Sequence, residues 1–181
     1  MLSHRDSAQS LIPIISERSA QELAKFAKQY SNEIQAEDQD LVLLKNVANI
    51  VYRKGRHKDA IWILDAILQQ TPNDYEILNL KGLALYDRRT RSDLLEAEKI
   101  FDALVVQRPA TALIWHNSAL IKTHLAKFDE AVSRIEEAIK YEFWKDSPDM
   151  LDFDDFFPLR ENKPDEFERL KNKVKKLLNE Q

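Results

Sequence analysis

Cysteine is absent from the 181-residue sequence, and glycine occurs only twice, at Gly55 and Gly82. Without cysteine the chain can form no disulfide, no thiolate metal site and no cysteine nucleophile. Average glycine usage of roughly 7 % would give about a dozen glycines. The shortage leaves few positions for the positive φ angles that tight hairpins and phosphate-binding loops need. The composition therefore favours an all-helical chain.

The sequence also lacks a strong charge excess and a long hydrophobic run. The formal net charge is −4, so no basic field is available to attract nucleic acid or an anionic membrane. The apolar stretch at residues 11–15 is short and interrupted by Pro13, so it fits neither a signal peptide nor a membrane span. These features predict a cytoplasmic protein that binds neither nucleic acid nor a membrane.

Residue patterns that support catalysis or metal binding are missing as well. The four histidines, at positions 4, 57, 116 and 124, form no metal-binding pattern. The acidic stretch at residues 146–155 lacks the mid-loop glycine and closing glutamate of a calcium loop, and is interpreted as a solvated connection. Two glycines cannot build a nucleophile elbow, a P-loop or a dinucleotide fingerprint. We therefore predict no enzymatic activity, no catalytic or metal-binding residue and no cofactor.

Two sets of landmark residues recur along the middle of the chain. A bulky residue is followed four positions later by a small one at Leu44 and Ala48, Leu78 and Gly82, and Trp115 and Ala119. An alanine is followed by a large residue at four positions and a closing residue at twelve in Ala60, Leu64 and Pro72, then Ala97, Phe101 and Pro109, then Ala131, Ile135 and Phe143. Residues four apart share one face of a helix. Short side chains at a crossing let two helices approach to roughly 8–10 Å, which predicts leading and trailing helices in three units.

The spacing between units points to an insertion. Ala48 and Gly82 are 34 residues apart, whereas Ala60 and Ala97 are 37 apart. Both sets agree if three extra residues lie between the two helices of the second unit. The polar stretch at residues 87–93 is the expected place, as a lengthened turn.

These residues resemble the tetratricopeptide repeat family, whose 34-residue unit has a large and a small residue on its first helix and an alanine on its second. The third unit, residues 111–144, is the most similar. It departs from the family at Lys122, which replaces a usual aromatic residue, and at Phe143, which replaces the closing proline. The resemblance implies an all-α fold, an α-α superhelix (tetratricopeptide-like solenoid) of three helix–turn–helix repeats with N- and C-terminal capping helices.

The expected organisation follows from these boundaries. Residues 1–15 are expected to be mobile, and residues 16–40 to hold an N-terminal capping helix that begins after the capping-box pattern at Ser19. The three repeats are assigned to 41–73, 74–110 and 111–144. Residues 145–181 are expected to form an acidic and aromatic connection and a last helix from about Pro164.

The resemblance also implies a ligand-binding face. In such arrays the leading helices line a concave groove that binds a peptide. Carried onto this sequence, the groove positions are Lys45, Asn49, Tyr52, Arg53, Glu76, Asn79, Leu83, Tyr86, His116, Leu120, Thr123 and His124, with Val42, Asp87 and Leu113 beside them. Asparagine amides can both donate to and accept from a peptide backbone, and tyrosines supply amphipathic contact area.

One ligand known for the family fits poorly. Chaperone-binding members hold a C-terminal carboxylate with a lysine and an asparagine, a second asparagine and two basic residues. Lys45 and Asn49 match this pattern. Leu80, Leu113 and Asn117 occupy the other three positions, so most charge-assisted hydrogen bonds would be missing. No tight binding to a heat-shock C-terminal tail is expected.

The sequence thus predicts a protein–protein interaction module, an adaptor or chaperone-like protein that binds a peptide of an unidentified partner. One alternative is an assembly protein that forms a homodimer through its flanking segments, for example through the aromatic residues 153–157. A third reading, based on size and layout alone, is similarity to the type III secretion class II chaperones.

Overall fold

The computed structural model describes residues 38–180, together with Glu22 and Lys25, which are helical and exposed. The predicted N-terminal segment and capping helix otherwise lie outside the described residues. The chain divides into two compact units, of which the first ends at Arg88 and the second begins at Arg89. Within residues 38–180 every regular element is a helix.

Three helices form the described part of the first unit: α1 (Asp38–Arg53), α2 (His57–Gln70) and α3 (Tyr75–Arg88). Turns of three and four residues join them, so that consecutive helices pack side by side. Gly55 has φ +75 in the first turn, a conformation that favours glycine, and its N–H donates to the Tyr52 carbonyl at 2.8 Å. The core of this unit consists of buried aliphatic side chains, among them Leu44, Val47, Val51, Ile63, Leu64 and Ile67.

The second unit contains α4 (Arg91–Gln107), α5 (Ala112–His124) and α6 (Phe128–Lys140). These are followed by the short helix α7 (Phe143–Asp146), a 3-10 turn (Asp154–Phe156), α8 (Phe157–Asn162) and α9 (Pro164–Asn179). The helices α5 and α6 pack closely together, and α9 packs against α6. Ion pairs from Lys163 to Asp129 and from Arg169 to Glu136, both at 2.8 Å, join the C-terminal helix to α6.

The three extra residues between Ala60 and Ala97 lie in a helix, and the long turn predicted at residues 87–93 is wrong. Only Arg89 and Thr90 separate α3 from α4. Ala60 and Ala131 are the fourth residues of α2 and α6, whereas Ala97 is the seventh residue of α4. The insertion therefore forms an added first turn of α4.

Local sequence explains why these residues are helical. The Thr90 hydroxyl oxygen accepts a hydrogen bond from the Asp93 N–H at 3.2 Å, which satisfies one of the N–H groups left free at the start of α4. The carboxylate of Asp93 lies in the first turn, where the helix dipole favours a negative charge. Arg89 adopts φ +57, the left-handed conformation that often ends a helix.

Candidate functional site

The two leading helices of the first unit, α1 and α3, are tied together at two points. Lys45 Nζ donates to Asp74 Oδ2 at 2.5 Å, and the Tyr52 hydroxyl donates to Asp87 Oδ2 at 2.8 Å. Lys45 precedes Tyr52 on α1, and Asp74 precedes Asp87 along the chain. The two helices therefore run in the same direction, with their starts and their ends at the same level.

The surroundings of Asp74 and Tyr52 shift their pKa values in the directions that keep both hydrogen bonds formed. Partial burial acts to raise the pKa of Asp74, but the Lys45 ammonium and the N–H groups of Ile77 and Glu76 hold it below its ordinary value. Burial, together with the hydrogen bond and charge of Asp87, raises the pKa of Tyr52 above its ordinary value. Both links are thus present at neutral pH. Lys45 and Tyr52, which were predicted to bind a peptide, contact other side chains of the same unit.

The remaining predicted groove residues of this unit differ in exposure. Asn49, Arg53 and Glu76 are exposed, and Val42 beside them is 57 % exposed. Asn79 and Leu83 are partly buried. Tyr86 is buried in the core. Val42, Asn49 and Arg53 recur at intervals of seven and four residues and so lie on one face of α1.

In the third repeat the predicted groove face is covered by the chain itself. His116, Leu120 and Thr123 of α5 are buried, with His116 only 5 % exposed. Phe143 of α7 stacks on the His116 ring at 4.5 Å between ring centres, and the other covering residues belong to Ser147–Asn162, here termed the C-terminal segment. The Nε2 atom of His116 lies 3.1 Å from the Met150 carbonyl oxygen, and the imidazole ring centre lies 5.5 Å from that of Phe156. A peptide cannot reach these three side chains while the segment is in place.

Asp155 joins the C-terminal segment to the end of α5. Its Oδ1 atom accepts a hydrogen bond from Arg89 Nη2 at 2.5 Å and lies 3.8 Å from Nε2 of His124. Asp152 of the same stretch pairs with Lys171 of α9. The acidic stretch is therefore partly engaged in ion pairs, although Asp146, Asp149 and Asp154 are exposed, as expected for a solvated connection. His124, the fourth predicted groove residue of α5, contributes to this attachment by accepting a hydrogen bond from Arg89 Nη1 at 2.7 Å.

Both histidines of α5 are held neutral by their surroundings. Burial lowers the pKa of His116, against smaller opposing effects from the Met150 carbonyl, Asn117 and Asp155. Burial and then the Arg89 charge lower the pKa of His124, against the Asp155 charge. The unfolded chain, in which a histidine has a pKa of about 6.5, therefore binds protons more readily than the folded chain.

We predict from this that stability falls on mild acidification. Since the folded pKa values of both histidines are depressed, the stabilisation that comes from their neutral form is fully present above about pH 6.5. It is lost as the pH falls towards the folded pKa values, by at most about 1.4 kcal/mol per pH unit for each histidine. Urea unfolding between pH 7.5 and 5 measures this loss. His116→Gln, which keeps a donor for the Met150 carbonyl, should show a smaller loss over the same range. An identical slope in the variant would contradict the assignment.

Lys122 is the centre of a buried ion cluster in α5. Its side chain is only 3 % exposed, and its Nζ atom lies 2.7 Å from Glu98, 2.9 Å from Asp102 and 2.8 Å from Glu130. Lys127 pairs with the same Glu98 carboxylate, and so extends the cluster. Burial alone would lower the pKa of Lys122, but the three carboxylates raise it above its ordinary value. An ammonium held in this way stays charged, so it cannot act as a base or a nucleophile.

Another concave feature of the second unit is an open cleft of about 370 Å³ beside Trp115. The Arg134 guanidinium covers the Trp115 ring at 5.0 Å from the ring centre, and is itself hydrogen-bonded to Asp102 at 3.0 Å. The indole Nε1 donates to the Pro109 carbonyl at 2.7 Å. The Arg134 guanidinium and the Trp115 indole N–H of this cleft therefore both have partners within the protein.

Metal binding and membrane insertion receive no support from the part of the chain that is described. Within residues 38–180, no three histidine, aspartate or glutamate side chains come together as metal ligands. None of the helices described here combines the length and the apolar character that crossing a bilayer requires.

Within each unit, helices of similar length are joined by short turns and bury small residues such as Ala48, Ala60, Ala119 and Ala131, which is characteristic of a helical-repeat protein. A scan against protein-family models finds no match, and a search of curated proteins finds none. Among solved structures, MamA from Desulfovibrio magneticus RS-1 (residues 41 to the end) is 18 % identical, with a TM-score of 0.69 and coverage of 98 % of this chain and 94 % of that chain. A double mutant, MamA RS-1 ArsTM, gives the same score and identity over 97 % and 93 %. The predicted fold class, an all-α fold of the α-α superhelix type, is confirmed.

Proposed function

We propose that the protein is a member of the tetratricopeptide repeat family that binds an extended peptide segment of a partner protein. The proposed binding face is the exposed side of α1 and α3 in the first unit, here termed the first-unit face. It comprises Val42, Asn49 and Arg53 on α1 and Glu76 and Leu83 on α3.

The observation that supports this proposal most directly is the contrast between the two units. In the first unit, two parallel leading helices are fixed by the Lys45–Asp74 and Tyr52–Asp87 links, and polar and apolar side chains beside those links remain exposed. In the second unit the corresponding face of α5 is covered by the C-terminal segment. A pre-formed face loses little conformational entropy on binding, which favours peptide capture there.

A photo-crosslinking amino acid placed at Asn49 tests the proposal. We expect it to crosslink to a protein that is not captured by the same group placed at Lys99, an exposed residue of α4. The yield of this crosslinked product should fall when the Arg53→Ala substitution is added, because Arg53 lies on the same face as Asn49. If positions 49 and 99 yield the same products, the face assignment is wrong.

The exposed aromatic rings of the C-terminal segment support a second candidate function, self-association. Phe153 and Phe157 are 44 % and 49 % exposed, whereas Phe156 between them is fully buried. Phe156 is therefore a core residue, and the two exposed rings are the ones available to a second copy. Aromatic side chains are enriched at protein interfaces.

Analytical ultracentrifugation distinguishes the two functions. A concentration-dependent dimer that is lost with Phe153→Asp or Phe157→Asp would support assembly. Val106→Asp is the matched control, because Val106 is 80 % exposed on α4 and lies outside the segment. A monomer at all concentrations, for the wild type and for both variants, excludes this candidate.

A further inference from the structure

The ionisable groups on the first-unit face and directly beside it fall into two classes. The first class is paired within the unit: Lys45 with Asp74 at 2.5 Å, and Asp87 with the Tyr52 hydroxyl at 2.8 Å. The second class consists of Arg53 and Glu76. Among the described residues, neither side chain forms an ion pair, and the Glu76 carboxylate accepts a hydrogen bond from the neighbouring Tyr75 hydroxyl at 3.3 Å.

The two unpaired charges lie at opposite ends of the face. Glu76 follows Asp74 by two residues and is therefore level with Lys45, near the start of both helices. Arg53 follows Tyr52 directly and is therefore level with Asp87, at the end of both helices. Lys54, also exposed, adds a second positive charge at this end. The face has a negative end and a positive end.

The separation of these charges sets the spacing that a ligand must match. From Lys45 to Arg53 the rise along α1 is about 12 Å, and from Glu76 to Asp87 the rise along α3 is about 16 Å, at 1.5 Å per residue. An extended peptide advances about 3.3 Å per residue and places side chains on the same side only at even separations, so two side chains about four positions apart cover this distance. Asn49 lies between the two ends, where its amide can bond to a peptide backbone. Val42 and Leu83 offer apolar contact beside it.

We propose that the first-unit face binds an extended peptide that has a basic side chain over Glu76 and an acidic side chain over Arg53, about four positions apart. This inference rests on the proposed function and specifies its ligand. Charge complementarity carries it, because Lys45, Asp74 and Asp87 are already paired within the unit, which leaves Glu76 at one end and Arg53 with Lys54 at the other. Like charges placed opposite one another oppose binding. The chain direction of the peptide is left free, since either direction can place the two charges correctly.

Dye-labelled, end-blocked peptides test the charge pattern by fluorescence polarisation with the full chain. The probes have the same neutral residues and differ only at two positions, four apart: lysine with aspartate, aspartate with lysine, two lysines, or two aspartates. We expect at least one mixed peptide to bind about ten-fold more tightly than either like-charged peptide. Tighter binding of a like-charged peptide, or no binding of any probe, overturns the inference.

Charge reversal then tests the two ends. Arg53→Glu should lower the affinity for the mixed peptide about ten-fold and raise the affinity for the two-lysine peptide. Glu76→Lys should raise the affinity for the two-aspartate peptide. The double variant Arg53→Glu/Glu76→Lys should recover mixed-peptide binding to within about three-fold, because the charges of the face are then exchanged. Lys99→Glu and Glu161→Lys, exposed residues of the second unit, are controls that should change nothing. Circular dichroism verifies that each variant is folded.

Failure of this inference can be told apart from failure of the proposed function. If the double variant does not recover binding while the photo-crosslinker at Asn49 still captures a partner, the face binds a peptide of another charge pattern. If the crosslinker also captures nothing specific, the first-unit face is not a binding site.

Discussion

Phe156→Ala is expected to lower the free energy of unfolding by about 3–5 kcal/mol. Phe156 is fully buried, and its ring meets the buried imidazole of His116 edge to face at 5.5 Å between ring centres. Truncation removes the apolar area of the ring and leaves a cavity against α5 that the surrounding helices fill only in part. Urea unfolding monitored by circular dichroism measures the change.

Phe157→Ala is the matched control for this variant. The neighbouring ring is 49 % exposed and covered on one side by Arg160 at 5.0 Å, so its truncation should cost about 1 kcal/mol or less. Equal effects of the two substitutions would mean that the C-terminal segment is not docked on α5 as described.

Lys122→Met is expected to destabilise the protein by about 3 kcal/mol or more, because it removes the buried cation that neutralises the largely buried Glu98 carboxylate. Glu98, whose side chain is 11 % exposed, keeps Lys127 as its partner but loses the 2.7 Å bond to Lys122. Thermal and urea unfolding at pH 7 measure the loss.

Two further variants separate the charge effect from packing. Glu130→Gln removes a partner that is 52 % exposed, so it should cost less than about 1 kcal/mol. Lys122→Met/Glu98→Leu removes both members of the most buried pair and should recover much of the loss, because an uncompensated buried charge is more costly than an apolar pair of similar volume. A double variant that is less stable than Lys122→Met would contradict this account.

The all-helical fold class could be predicted from the sequence because it depends on local spacing. Ala48, Ala60, Ala97, Ala119 and Ala131, the small landmark residues, are all fully buried. A small residue at a crossing is needed wherever two helices approach closely, and its spacing from the bulky landmark is fixed by the helical period. Such constraints act within about ten residues and leave a visible pattern.

The position of the insertion could have been predicted with one more local rule. Thr90 is followed three residues later by Asp93, which is close to the capping-box pattern that begins a helix. The polarity of residues 87–93, taken alone, favours a turn. A cap and a first turn are polar as well, so polarity does not distinguish them.

The covering of α5 could not have been predicted in the same way. His116 and Phe156 are 40 residues apart, and no periodic pattern relates them. One departure in the sequence points to an unusual environment in α5: Lys122 occupies a position that is usually aromatic in the tetratricopeptide pattern that this chain resembles. Glu98 and Asp102, which bind it, are four apart on one face of α4. That spacing could have indicated a buried ion cluster.

The covered face of α5 also has a consequence during synthesis. His116, Leu120 and Thr123 leave the ribosome about 40 residues before Phe156 does, which at 5–20 residues per second is about 2–8 s. For that time the side chains that the C-terminal segment later buries are exposed to solvent and to other nascent chains. Slow translation of residues 145–160 would prolong this interval, so the yield of folded protein should depend on codon choice in that stretch more than in the first repeat.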